Sequence, residues 1–107
     1  MINKNVEKAI DTYWTLYGDY ENDYNFKETQ LNNLGYQLLQ VGMNKQAIEI
    51  FKLNVEQFPD SFNVYDSLGE GYMIAGDKKN AIKNYEKSLK LNPANDNAKK
   101  MLEQLKS

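Results

Sequence analysis

FNVYDSLGEGYMIAGDKKNAIKNYEKSLKLNPAN, residues 62–95, follows directly on ETQLNNLGYQLLQVGMNKQAIEIFKLNVEQFPDS, residues 28–61, and the two stretches align without a gap at a period of 34. Leu34 pairs with Leu68, Gly35 with Gly69, Gly42 with Gly76, Lys45 with Lys79, Ala47 with Ala81, Ile48 with Ile82 and Pro59 with Pro93. Similar residues pair as well: Leu31 with Tyr65, Leu38 with Tyr72, Phe51 with Tyr85. Self-similarity at such a period marks a repeat architecture, in which one supersecondary unit is stacked on copies of itself.

Within each unit the apolar spacing reads as two helices. Leu31, Leu34 and Leu38 recur at i, i+3 and i+7, as do Tyr65, Leu68 and Tyr72, which gives one apolar stripe along a first helix. Gly42 and Gly76 break the pattern, and Asn44 and Asp77 are the expected caps of the next helices. Second helices carry Ala47, Ile48, Phe51 and Val55, then Ala81, Ile82, Tyr85 and Leu89. Pro59 and Pro93 close them, because proline disfavours helical geometry in the residue before it. Gly35 and Gly69 lie inside first helices at a cost of about 1 kcal/mol each relative to alanine. The same cost at the same place in both units predicts a close helix-to-helix approach. Gly71 lies in the same helix as Gly69, and its replacement by alanine is expected to stabilise the protein if the site admits a methyl.

The flanks extend the stack. Residues 3–18 repeat the Ala-Ile-x-x-aromatic pattern at Ala9, Ile10 and Tyr13, as the second helix of a half-repeat would. The offset to the next copy is 38 rather than 34, so four extra residues fall in the connection 18–27. At the other end Asn95 or Asp96 is expected to cap a helix over 96–106 that carries Ala98, Met101, Leu102 and Leu105. One domain over 1–107 follows, with about six helices.

Composition removes most catalytic chemistry. Of 107 residues none is cysteine or histidine, so disulfides, thiolate nucleophiles, thiolate metal sites and the commonest general base are all missing. Ser61, Ser67, Ser88 and Ser107 sit in no nucleophile motif. Thirteen basic against fifteen acidic residues give a net charge of -2, which offers no overall attraction to nucleic acid phosphates. No apolar run reaches the roughly 20 residues of a membrane span, and the first residues lead into an amphipathic pattern without the apolar stretch of a secretory signal. The compartment stays open. A non-catalytic chain without cofactor or metal is the expectation.

The pairs above, with the run Leu34-Gly35, Gly42, Ala47, Phe51, Pro59 and its copy Leu68-Gly69, Gly76, Ala81, Tyr85, Pro93, resemble the tetratricopeptide-repeat family over residues 28–95. The resemblance implies an all-α, right-handed αα superhelix of helix hairpins. It further implies that the first helices line a concave groove for a peptide or protein partner. Groove positions carried over by register are Thr29, Asn32, Asn33, Tyr36, Leu39 and Gln40 in the first unit. The second unit supplies Asn63, Asp66, Ser67, Glu70, Met73 and Ile74, and the last helix Asn97, Lys100 and Gln104. Asparagine can bond a peptide backbone as donor and acceptor, while Tyr36 and Met73 can anchor a side chain. The Lys/Arg-plus-Asn clamp that members of the family use for a terminal carboxylate is missing from these positions, and the acidic pair Asp66 and Glu70 favours a basic or neutral segment instead. These two carboxylates, at i and i+4, are read as a solvated face rather than an acid-base pair. Asn54 and Ser88 stand where the family favours alanine, which implies looser packing between neighbouring repeats.

Two further readings concern the chain's context. Residues 31–39 and 63–70 resemble the repeat tails that follow bacterial serine hydrolase domains of the beta-lactamase-like or esterase type, so a structural or dimerisation appendage of such an enzyme is the alternative role. Trp14 is out of pattern, since Lys52 and Glu86 occupy its position in the other second helices. With Tyr13 and Tyr17 it covers the end of the stack, docks on an upstream domain, or forms a homodimer contact.

Overall fold

The computed structural model describes residues 27–107, and the described residues are all helix and turn, without a strand. The expected half-repeat helix over 3–18, with Tyr13, Trp14 and Tyr17, lies outside them. Five helices follow in order: α1 (Glu28–Gln40), α2 (Asn44–Gln57), α3 (Phe62–Ile74), α4 (Lys78–Leu91) and α5 (Asp96–Lys106). Each packs on the next along the chain, and α1 also touches α3. That pattern is a stack of antiparallel hairpins in which the odd-numbered helices form one layer and the even-numbered helices the other.

The helix ends show why the period is legible. After α1 the Met43 N–H donates to the Leu38 carbonyl at 2.9 Å and the Gly42 N–H to that of Leu39 at 3.1 Å. After α3 the Asp77 and Gly76 N–H groups repeat both bonds onto Tyr72 and Met73, at 2.9 and 3.1 Å. Gly42 and Gly76 hold φ of 81° and 86°, the left-handed geometry that this paired C-terminal cap requires and that a Cβ would strain. At helix starts the sequence expectation held at Asp77, whose carboxylate accepts from the Asn80 N–H at 3.2 Å, and at Asn95, whose side-chain oxygen accepts from that of Ala98 at 3.2 Å. It failed at Asn44: α2 starts at that residue, the preceding Met43 is the cap residue, and no side chain caps this end.

The core is built around Phe51. One edge of its ring lies against the backbone of α1 at Gly35, so closely that a Cβ there would clash with the ring. The ring's other edge lies 3.1 Å from where a Cβ on Gly71 of α3 would be, with Ile48 alongside. Tyr36 meets the same ring edge-on, centroids 5.2 Å apart at 67°, a geometry that aligns its positive edge with the negative face. Leu31, Leu34, Leu38, Ala47, Ile50 and Leu68 complete this cluster, all buried. A second cluster joins Tyr85 to Ala98 and Leu102 of α5. Ile50 was missed in the apolar stripe because its counterpart in the next unit is the polar Asn84. Tyr65 departs in the opposite direction. Leu31 is fully buried, whereas Tyr65 stays half-buried, donates its hydroxyl to the Pro59 carbonyl at 2.9 Å and lies under the Lys87 ammonium.

The looser packing expected at Asn54 and Ser88 is not found. Both are fully buried. Asn54 Nδ2 donates to the Glu28 carbonyl at 3.0 Å and Ser88 Oγ donates to the Phe62 carbonyl at 2.9 Å, in each case the first residue of the unit's own first helix. A polar side chain at this place replaces methyl packing with a directed bond from the end of the second helix to the start of the first.

Candidate functional site

Helices α1, α3 and α5 run parallel in one layer, so the 34-residue register aligns their residues in rows across the layer. Thr29, Asn63 and Asn97 form one row and all three are exposed; Asn32, Asp66 and Lys100 form the next. Tyr36, Glu70 and Gln104 form a third.

Hydrogen bonds cross between neighbouring helices within this face. Ser67 Oγ donates to Asn32 Oδ1, and the Tyr36 hydroxyl donates to Glu70 Oε1 at 2.9 Å, both linking α1 to α3. From α5, Asn97 Nδ2 donates to Asp66 Oδ2 at 3.0 Å, and Asn95 Nδ2 just before that helix approaches the other carboxylate oxygen at 3.5 Å. At the start of α1 the Glu28 carboxylate accepts from Ser61 Oγ at 3.0 Å and from Asn63 Nδ2 at 3.5 Å.

Burial has electrostatic consequences here. Loss of solvation, reinforced by the charges of Glu70 and Asp66, pushes the Tyr36 hydroxyl up to about 12, although its contact with Ser67 opposes the shift. Tyr36 is therefore a proton donor to Glu70 at neutral pH, not a phenolate. Burial also raises the Asp66 carboxyl above its ordinary value, against the bonds from Asn97 and Asn95, which favour the charged form. The sequence reading of Asp66 as a freely solvated carboxylate is corrected to that extent: it is half-buried and anchored on α5. Asp66 and Glu70 are each held by neutral donors on different helices, and they share no proton in the structure.

The groove residues expected from the sequence thus fall into three groups. Asn33, Asn63, Asn97 and Lys100 are exposed, and Asn63 and Asn97 spend their amide donors on Glu28 and Asp66, which leaves their side-chain oxygens for a partner. Asn32, Tyr36, Asp66 and Glu70 are half-buried and already bonded across helices, Tyr36 to Glu70, Asn32 to Ser67 and Asp66 to Asn97, while Leu39 packs partly against the core and Met73 is half-buried. Ser67 drops out as a contact residue, because it is 2% exposed and engaged with Asn32. Glu28, Ser61 and Asn95 were not among the expected residues. Glu28 occupies a place held by Phe62 and Asp96 in the other copies, so the repeat gives no hint of it. No group of three or more carboxylates among the described residues stands close enough to hold a metal ion, and none of their helices is long and apolar enough to cross a membrane.

This layer of parallel first helices, with paired glycine turns and a glycine-to-ring contact in each unit, has counterparts among known proteins. Residues 62–95 match the family model described as tetratricopeptide repeat. The fold is accordingly an all-α superhelix of tetratricopeptide-repeat hairpins. Superkiller complex protein 3 from Homo sapiens is 34% identical over 59 residues, which make up 55% of this chain and 4% of that protein. The crystal structure of MamA superposes with a TM-score of 0.72 at 25% sequence identity, over 94% of this chain and 56% of that one. The chain therefore spans a small fraction of its human relative and little more than half of the other.

Proposed function

We infer that this tetratricopeptide-repeat chain is a non-catalytic protein-protein interaction module that holds an extended peptide segment of a partner across the layer of α1, α3 and α5. The observation that carries this reading is the division of labour on that face. Asn32, Ser67, Tyr36, Glu70, Asp66 and the Nδ2 of Asn97 fix the three helices to one another, and the exposed amide of Asn33 and the side-chain oxygens of Asn63 and Asn97 are left beside them. A surface whose inner polar groups are already satisfied loses little freedom when a ligand arrives, and preorganisation of this kind favours affinity. Amides that both donate and accept suit the backbone of an extended chain. With helix axes about 10 Å apart, three helices span about 20 Å, the length of about six extended residues. Fold and relatives support the class of function, a protein-binding scaffold, and the register of the face supports its location.

Titrating the labelled chain with a peptide array and following backbone amide shifts tests the proposal. Shifts are expected on Asn33, Asn63, Asp66 and Met73, and Asn33→Ala with Asn63→Ala should weaken binding about tenfold at unchanged stability. Shifts confined to α2 and α4, or none with any peptide, would overturn it.

A further inference from the structure

The hairpin stack has two edges, and they differ. At one edge lie the turns 41–43 and 75–77, together with the N-termini of α2 and α4. At the other lie the turns 58–61 and 92–95. Among the described residues, four large apolar side chains are exposed, and three of them belong to the first edge: Val41 at 69%, Ile74 at 48% and Met43 at 39%. Lys45, Lys78 and Lys79 stand beside them, all exposed.

Neither set is explained by folding. The glycine caps fix Val41 at the outermost residue of its turn, and its counterpart Ala75 shows that the turn needs no large side chain there. The lysines occupy the first turns of α2 and α4, neither of which carries an acidic residue. The positive end of a helix dipole disfavours cations at that place. Asp77, the cap residue before α4, is the carboxylate of this edge, and its bonds to Asn80, aided by the Lys79 charge, hold it below its ordinary value, so it stays ionised.

We propose that this edge docks on an anionic lipid surface, with Val41, Met43 and Ile74 entering the headgroup layer and Lys45, Lys78 and Lys79 lying at the level of the lipid phosphates and carboxylates. Charge complementarity selects an anionic partner, and the shape of the edge selects a bilayer over an acidic protein. The exposed apolar groups are single side chains spread over two turns, and a fluid interface accommodates separate tips where a folded surface would need matching pockets. This docking leaves the face of α1, α3 and α5 free, since that face runs between the two edges.

Co-sedimentation of the full chain with phosphatidylcholine vesicles, with and without phosphatidylserine, provides the test. Binding is expected only with phosphatidylserine and should fall as salt rises. Each lysine exchanged for glutamine should lower the partition about fivefold, and Lys45→Gln with Lys79→Gln about 30-fold. Val41→Ser with Ile74→Gln should also abolish most binding, with helicity and melting temperature unchanged. Equal binding to neutral vesicles, no binding at low salt, or apolar-tip variants that bind like wild type would each overturn the proposal. In the second case an acidic protein would be left as the partner of this edge.

Discussion

The units 28–61 and 62–95 solve the same structural problem with different residues, and the second solves it more completely. In both, a side chain near the end of the second helix bonds the carbonyl that opens the first. In the second unit Ser88 Oγ also accepts from Asn95 Nδ2 at 2.9 Å, while Asn95 caps α5 with its oxygen. In the first unit the residue equivalent to Asn95 is Ser61, which turns to Glu28 instead and leaves α3 without a side-chain cap. Asn54 Oδ1 is then buried and finds no hydrogen-bond partner among the described residues. The aromatic contacts differ in the same manner: Phe51 is gripped between Gly35 and Gly71, whereas Tyr85 lies 3.1 Å from where a Cβ on Gly69 would be and packs with α5 residues such as Leu102. Identical register does not imply equal strain, and each difference traces to a single residue.

The largest expected effect breaks the glycine symmetry. Gly35→Ala forces a methyl into the Phe51 ring and should destabilise by about 3 kcal/mol in chemical denaturation. Gly69→Ala needs only a small shift of Tyr85, and alanine's better helix propensity offsets part of that, so a loss of about 1 kcal/mol or less is expected. Equal losses would show that the two ring contacts are equivalent after all.

Ser88→Ala removes a buried bond and strands one donor of Asn95, for a loss of about 1 to 2 kcal/mol. Asn54→Ala removes a bond and an unpaired acceptor together and should be nearly neutral. Ser61→Asn copies the second unit's solution into the first, offering an amide to Asn54 Oδ1 and a cap to α3, and should raise stability by about 1 kcal/mol. A drop in melting temperature on that change would mean the Ser61 to Glu28 bond matters more than the cap.

Asp66 sharpens the comparison through pH. Its carboxyl is raised above 3.8 by burial, so the folded protein holds that proton more tightly than the unfolded chain. Its contribution to stability is greatest below 3.8 and is lost as pH rises through the raised value. In Asp66→Asn this part of the fall in melting temperature as pH rises from 3.8 through that raised value should vanish. The smallest effect is expected at Gly71→Ala. The gain of about 0.5 to 1 kcal/mol anticipated from helix propensity is offset by a Cβ 3.1 Å from Phe51, leaving a change within about 0.5 kcal/mol of zero.

Much of the fold was legible because its determinants are local or periodic. Leu34 and Leu68 follow helical spacing, Gly42 and Gly76 mark the turns, and Gly35 with Gly69 announced a close helix-to-helix approach. Asn54 was misread because a polar residue in an alanine position looks like a packing defect until its partner carbonyl, 26 residues earlier, is located in space. Asn44 was misread because a capping residue type next to a turn does not fix which residue starts the helix. On the candidate face, register placed Asn63, Asp66 and Asn97 in adjoining rows, but it gave no sign that Tyr36 and Glu70 would bond each other or that Ser67 would be buried. Those contacts depend on the spacing of neighbouring helices, which a one-dimensional period does not encode.

The bonds from Tyr36 to Glu70 and from Ser67 to Asn32 act as rungs between adjoining hairpins, and rungs set the compliance of a coil. Tension applied along the stack loads both together, so this junction should behave as a stiff segment, while the junction to α5, fastened on this face by amides to Asp66 alone, yields first. A partner that pulls on the described helices would therefore part α5 from α3 before α3 from α1.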